Sequence, residues 1–507
     1  MRCILFLSDT LNRRLFDIYD SSGLHLKNLD RLIERSIVFD SHYVGSAPCM
    51  PARRDIMTGR LNFLERNWGG IEPYDWTLPQ ALREHGIKSY IFTDHYHYLE
   101  VGGENYLTMF DGWVMPRGQA KDPCCSKMTP VDQEYIGAVH PQFWANHNSY
   151  KGNEKEYPTP RTISRATTWL EENHEKDEFL LWIEPFDPHE PFDVPDEYLK
   201  QLGDDYDGPL FVCPKYSTVE EAGITERELK HIRNRYKALL LMMDNYLGGL
   251  FDVMDRHDMW KDTAFIFTTD HGYMLGEHGF MAKNYMPAYN EVFNIPLIVH
   301  LPGDEQKGRR IDALTQNIDI MPTVLELFKI SLDELPNRIH GRSWMPLVKG
   351  ESEAVRDCAI YGYFGKAVNI TDGRYTYFRA PVEGNRPLNV YTAMPMDLCS
   401  YFDRKRVYDI GKIEMGRFLS WTDYPVYRFS ADNMFYRNGP LRYTVLNEHE
   451  KKTMLFDLEK DPEQNENLCA KDRELETAFC MKLAKAMKGY DAPEEQYIRL
   501  SLQDYCK

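Results

Sequence analysis

No apolar run in this 507-residue chain approaches the roughly 18–20 residues that a bilayer-spanning helix requires, so no membrane partner is expected. The opening MRCILFLSDT holds a five-residue apolar stretch, Cys3 to Leu7, shorter than the ~7–15-residue core of a secretory leader. A cytoplasmic location is the expectation. Cysteine is sparse: ten residues, no two in a CxxC pair, which leaves a structural zinc site and a thioredoxin-type redox motif without support. Positive charge is also short, with 60 Lys+Arg against 78 Asp+Glu for a net −18. Nothing therefore draws the chain to nucleic-acid phosphates, and no nucleic-acid partner is expected. Internal repeats and low-complexity linkers are missing as well. What is present, 43% hydrophobic and 27% charged residues, excludes disorder for most of the chain.

Short apolar runs alternate with helical periodicity over the first two-thirds of the sequence. CILFLSD, KSYIFTD, FLLWIEPFD, AFIFTTD and IPLIVHLPG read as strands. Between them Leu26–Phe39, Thr77–Glu84, Arg161–Glu172, about Thr225–Met254 and Met321–Phe328 read as helices. This order implies an α/β fold: a large, mostly parallel sheet covered by helices on both faces. Beyond about residue 350 the pattern changes to hairpin-like alternation, with Asp372-Gly373 as a turn, RYTVLN and KTMLFDL as short strands and a final helix from Asp472 to Lys488. Two domains are expected: 1–350, catalytic, and 351–507, a smaller α+β unit with an antiparallel sheet. The aromatic, proline-interrupted stretch 380–440 has two open readings, a cover over the site or a contact between copies in a homo-oligomer.

Polar residues cluster immediately after the strands: Asp9, Asp94-His95, Asp187 with His189, and Asp270-His271. Open α/β sheets bind ligands outside the carboxyl ends of their strands, so these residues are expected to converge. One further segment carries chemistry. Cys49-Met50-Pro51-Ala52-Arg53 opens a helix after the loop GSAP. Alone, such a cysteine is most often an inert small hydrophobe. Here the helix N-terminus and the neighbouring Arg53 and Arg54 predict an electropositive pocket suited to an oxyanion.

Cys-x-Pro-x-Arg followed by Thr58-Gly59-Arg60 resembles the sulfatase signature, whose cysteine is oxidised to formylglycine. LFDLEKDPEQNENL at 455–468, HGRSWMPLVKG at 340–350 and QNIDIMPTVLELF at 316–328 resemble further sulfatase segments, so the resemblance covers most of the chain. It implies an alkaline-phosphatase-like fold, maturation by a formylglycine-generating enzyme and one divalent cation. Asp9, Cys49, Asp270 and His271 are the implied ligands, with Ca²⁺ ahead of Mn²⁺ or Mg²⁺. Arg53 and Lys283 would stabilise the ester oxygens, His189 would protonate the leaving alcohol, and His97 would assist release of sulfate. His95 takes the place of a family lysine; with Lys283 and Asn67 it is a candidate substrate contact.

The chain departs from many sulfatases at Ser8-Asp9-Thr10, where they carry two adjacent aspartates. That departure resembles the phosphonate monoester hydrolases, so a phosphonate or phosphate mono- or diester hydrolase stays open beside a sulfatase acting on a sugar or other small alcohol. A catalytically silent protein that binds sulfated ligands is the reading from another class.

Overall fold

The computed structural model describes residues 1–124, 134–394, 413–430 and 446–506, together with short strands at 435–436 and 439–440. Its main sheet contains β1 (Arg2–Ser8), β2 (Ile37–Phe39), β3 (Lys88–Thr93), β4 (Gly112–Val114), β5 (Phe179–Glu184), β6 (Thr263–Thr269), β7 (Leu297–His300) and β8 (Arg310–Ile311). They lie side by side in the order β8-β2-β7-β6-β1-β5-β3-β4. From β6 across to β4 every pairing is parallel, while β7 runs antiparallel to both β6 and β2. IPLIVHLPG is thus the strand that breaks the parallel rule. The chain leaves β6 at Thr269 and re-enters at Leu297 beside Thr268, at the same edge of the sheet, so an antiparallel return needs no crossover.

β1 explains why its apolar run is unbroken: all seven residues are buried. Ile4 and Phe6 enter one core with helices Pro158–Asn173 and Glu226–Arg256. Cys3, Leu5 and Leu7 enter another with helices Cys49–Thr58, Leu78–Glu84 and Ile320–Leu327. Both faces are covered, so alternation disappears. Glu226–Arg256 starts where a capping box fixes it, with Thr225 N–H donating to Glu228 Oε2 at 2.8 Å and Glu228 N–H to Thr225 Oγ1 at 3.3 Å.

The helix expected over Leu26–Phe39 is corrected. It spans Lys27–Ile33, and Ile37–Phe39 becomes β2. The β-branched pair Ile37-Val38 favours the pleated sheet over another helical turn.

After residue 350 an antiparallel meander of Ala359–Tyr363, Val368–Thr371 and Tyr375–Arg379 is extended by Met454–Asp457. Helix Arg473–Gly489 covers it through Phe479, Leu483 and Met487. At its other edge the sheet takes a strand from far upstream: Ser46–Ala47 pairs in parallel with Gly362 and Tyr363. The loop that opens into Cys49 is therefore clamped between the two sheets. Within 380–440, the strands Asn389–Thr392, Ile413–Gly416 and Val426–Ser430 form a three-stranded sheet. Tyr391, Leu419 and Val426 pack on Tyr74, and Thr392 Oγ1 donates to Glu72 at 2.7 Å. This part braces residues 65–75. Most of the strand expected at RYTVLN lies outside the described residues.

Candidate active site

Because β6, β1, β5 and β3 are parallel neighbours, their carboxyl ends share one edge of the sheet, and the expected polar residues meet there. Register sets Ser8 beside Thr269, so Asp9 and Asp270 leave adjacent strands together. Helix Cys49–Thr58 begins in front of them. Cys49 Sγ lies 3.2 Å from His271 Nε2 and 3.9 Å from Asp9 Oδ1, and Lys283 Nζ donates to it at 3.4 Å. Gly272 is required at its position, since a Cβ there would meet the Glu291 carbonyl oxygen at 1.9 Å.

Asp9, Cys49, Asp270 and His271 are all buried, and their ligand atoms lie within 4.8 Å of one another. Calcium–oxygen distances of about 2.3–2.6 Å span about that width across an ion. His271 Nδ1 is engaged by the Gly272 carbonyl at 2.9 Å, which leaves Nε2 for a metal. Burial lowers the imidazole to about 3, so it is the neutral, ligating form. The donor set, two carboxylates and an imidazole, fits a hard divalent cation. Burial, then the charge of Asp270, raises Asp9 to about 7. Burial also pushes Asp270 upward, but His271, Arg53 and Lys283 outweigh it and hold that carboxyl low. Burial, then Asp9, raises the Cys49 thiol.

Thr10 follows Asp9 directly. Its φ of 62° is a left-handed conformation that a β-branched residue rarely adopts. In that pose its N–H donates to Asp270 Oδ1 at 2.8 Å, its hydroxyl donates to Asp9 Oδ1 at 2.5 Å, and it accepts Lys283 Nζ at 2.7 Å. Lys283 is itself flanked by two left-handed residues, Ala282 (φ 74°) and Asn284 (φ 66°). The carboxyl-terminal sheet holds this turn: Asn284 N–H donates to Tyr363 Oη at 3.4 Å, and Lys366 Nζ donates to the Asn284 carbonyl at 2.5 Å.

Arg53 requires a correction. It does not line the cavity and is fully buried, shared by Asp9 at 2.9 Å, Asp270 at 2.6 Å and Glu184 at 2.9 Å. Its guanidinium holds Asp9 and Asp270, the two carboxylates that could take a metal. Glu184 went unnoticed in the sequence, although a lone carboxylate ending the apolar strand FLLWIE was the available signal.

A cavity of about 580 Å³ opens above Cys49 and Lys283. His97 and His189 line it. His97 Nδ1 is tied to Glu100 Oε2 at 2.8 Å and the ring packs on Trp68; no hydrogen bond joins it to Cys49 among the described residues. His95 and Asn67, expected as substrate contacts, are not among the lining residues. His95 is buried between Tyr98 and Phe186 with Nε2 3.8 Å from Asp9, and Asn67 accepts a bond from Arg66 Nη1 at 2.7 Å. In their place the lining includes Tyr96, Lys121, His140, Phe143, Lys215 and Tyr216.

The family model for sulfatases matches residues 2–330. The choline-sulfatase of Rhizobium meliloti is 24% identical, over 80% of this chain and 82% of its own. The N-acetylglucosamine-6-O-sulfatase of Bacteroides thetaiotaomicron is 22% identical, over 71% and 74%. In fold, the phosphonate monoester hydrolase of Agrobacterium radiobacter superposes with a TM-score of 0.65 at 18% identity, covering 96% of each chain. Asp9, Cys49, Asp270, His271 and Lys283, which meet at the sheet edge, all lie inside the matched span, and through it the chain belongs to the sulfatase family.

Proposed function

We propose that the protein hydrolyses a sulfate monoester of a sugar or another small alcohol, with formylglycine made from Cys49 by a maturation enzyme and one divalent cation held by Asp9, Cys49, Asp270 and His271. Ca²⁺ is the proposed ion, with Mn²⁺ and Mg²⁺ compatible with the same donors. The observation that carries the reading is the meeting of Cys49 with His271 at 3.2 Å and Lys283 at 3.4 Å on the floor of the cavity. Together the cation and formylglycine supply, when present, a nucleophilic hydroxyl and positive charge at the ester.

The chain's own residues do the rest. Lys283 Nζ, fixed by Thr10, donates to a non-bridging ester oxygen as its charge grows. Arg53 holds Asp9 and Asp270 in their places. His189, whose Nδ1 faces the Glu190 carbonyl at 2.5 Å, presents Nε2 to the leaving oxygen and protonates it. His97, oriented by Glu100, receives a proton as sulfate departs. The relatives named as choline- and N-acetylglucosamine-6-O-sulfatases support a small or sugar alcohol as the leaving group.

The single aspartate of Ser8-Asp9-Thr10 favours a second reading, a phosphonate or phosphate mono- or diester hydrolase on the same residues. Metal-loaded protein whose Cys49 peptide carries formylglycine by mass spectrometry, given an aryl sulfate and an aryl phosphonate with one leaving group, separates the two. Preference for sulfate is expected. Preference for phosphonate replaces the first reading with the second, and sulfate binding without turnover of either ester leaves a silent binder.

A further inference from the structure

Glu190 follows His189 directly and is buried in the cavity wall, 6% exposed. Tyr216 Oη donates to its Oε1. Its other oxygen, Oε2, has no hydrogen-bond partner, although an unsatisfied buried carboxylate oxygen is costly. Its ion-pair partner is the His189 ring, with Nδ1 at 3.3 Å. Nδ1 thus faces two acceptors, this oxygen and the Glu190 carbonyl at 2.5 Å, and so carries a proton. Phe186 stacks on the same ring at 4.1 Å and fixes its plane. Lys283, His97, His271 and His95 also act on His189, and all four are basic. Each opposes a second proton on the ring, and among the described residues Glu190 is the one carboxylate within ion-pair distance of it.

We propose that the Glu190 carboxylate, held by Tyr216, is the positioning group of His189: while the Glu190 carbonyl holds Nδ1–H, the carboxylate beside Nδ1 balances the charge of the imidazolium whose Nε2–H is delivered to the leaving oxygen. This rests on the hydrolase reading above and adds the device that makes its acid competent. In the step the bond from sulfur to the ester oxygen breaks as an attacking hydroxyl oxygen bonds to sulfur, and the ester oxygen keeps the electron pair of the broken bond. The oxygen then takes the Nε2 proton. His189 is left neutral with Nδ1 still protonated, and a proton from solvent water restores Nε2. Tyr216 comes from the turn after Leu210–Cys213, so the device depends on a segment far from His189 in sequence.

An acid matters in proportion to how poorly the alcohol leaves, so the test compares a 4-nitrophenyl ester with an alkyl ester of whichever acid, sulfuric or phosphonic, the metal-loaded, formylglycine-bearing enzyme turns over. With the alkyl ester, kcat is expected to fall about 100-fold in His189→Ala, about 10-fold in Glu190→Gln and about threefold in Tyr216→Phe, while the nitrophenyl ester loses no more than about twofold. Thermal melting confirms that each variant is folded. Equal losses on both esters in Glu190→Gln, or a change in KM alone, would overturn the inference, the second outcome making Glu190 a contact for a substrate hydroxyl. If His189→Ala also shows equal losses, the assignment of the acid falls with it. Turnover of neither ester would remove the hydrolase reading and this inference together.

Discussion

At the floor of the cavity Arg53 is shared among three carboxylates, and Asp9, Asp270 and His271 are wholly buried. At the mouth, Lys121 and Lys215 are exposed and have no ion-pair partner among the described residues, with Lys121 near the Tyr96 ring. Charges at the floor act in low dielectric and must be paired to exist there at all; charges at the mouth are hydrated and free to meet a ligand. On the proposed function, the floor would hold the tetrahedral anion and the mouth would tell alcohols apart, with Lys121 and Lys215 carried on loops that a rigid scaffold holds.

The hardest blow to the floor is Cys49→Ala. Steady-state turnover of an aryl sulfate is expected to drop about 10⁴-fold or more, as when a nucleophile is removed. Sustained wild-type activity in the folded variant would sink the assignment of Cys49. Next is Arg53→Met, which strands three buried carboxylates. In chelator-treated protein, urea unfolding should show a loss of about 3–5 kcal/mol. Unchanged stability would mean that the floor is not one electrostatic unit.

At the mouth the effects shrink. Lys121→Ala with Lys215→Ala should raise KM for an anionic ester by roughly fivefold, about 1 kcal/mol, with kcat unchanged. The difference should fade in high salt. A fall in kcat instead would place these lysines with the floor. Tyr363→Phe removes one long hydrogen bond to the turn that carries Lys283, and a loss of about 0.5 kcal/mol in unfolding is expected. A large fall in turnover there would show that the carboxyl-terminal sheet sets the position of Lys283 more tightly than one bond implies.

The floor was largely legible in the sequence because short motifs encode it. Asp9 and Asp270-His271 each close an apolar strand, and the Cys49 pattern opens a helix, so local order and strand-end logic bring them together. Arg53 was legible as a member of that motif but not in its direction, since the carboxylate that draws it inward, Glu184, lies 131 residues away. His95 and Asn67 fail for a similar reason. His95 follows its strand as a site residue should, yet it is turned between Tyr98 and Phe186, and only packing across β3 and β5 decides that.

Composition and periodicity by themselves determined β1, β3, β5 and β6, though not the short, half-exposed edge strand β4, and the edge at which chemistry would gather, because a strand buried on both faces must be apolar and its polar end must leave the sheet. Tertiary structure alone decided the reversal of β7, the break of Leu26–Phe39 into helix and strand, and the pairing of Ser46–Ala47 with a sheet more than 300 residues away. It also decided the clasp of Glu190 by Tyr216. Each of these depends on which neighbour a backbone edge or buried charge finds, and a local pattern carries no record of that neighbour.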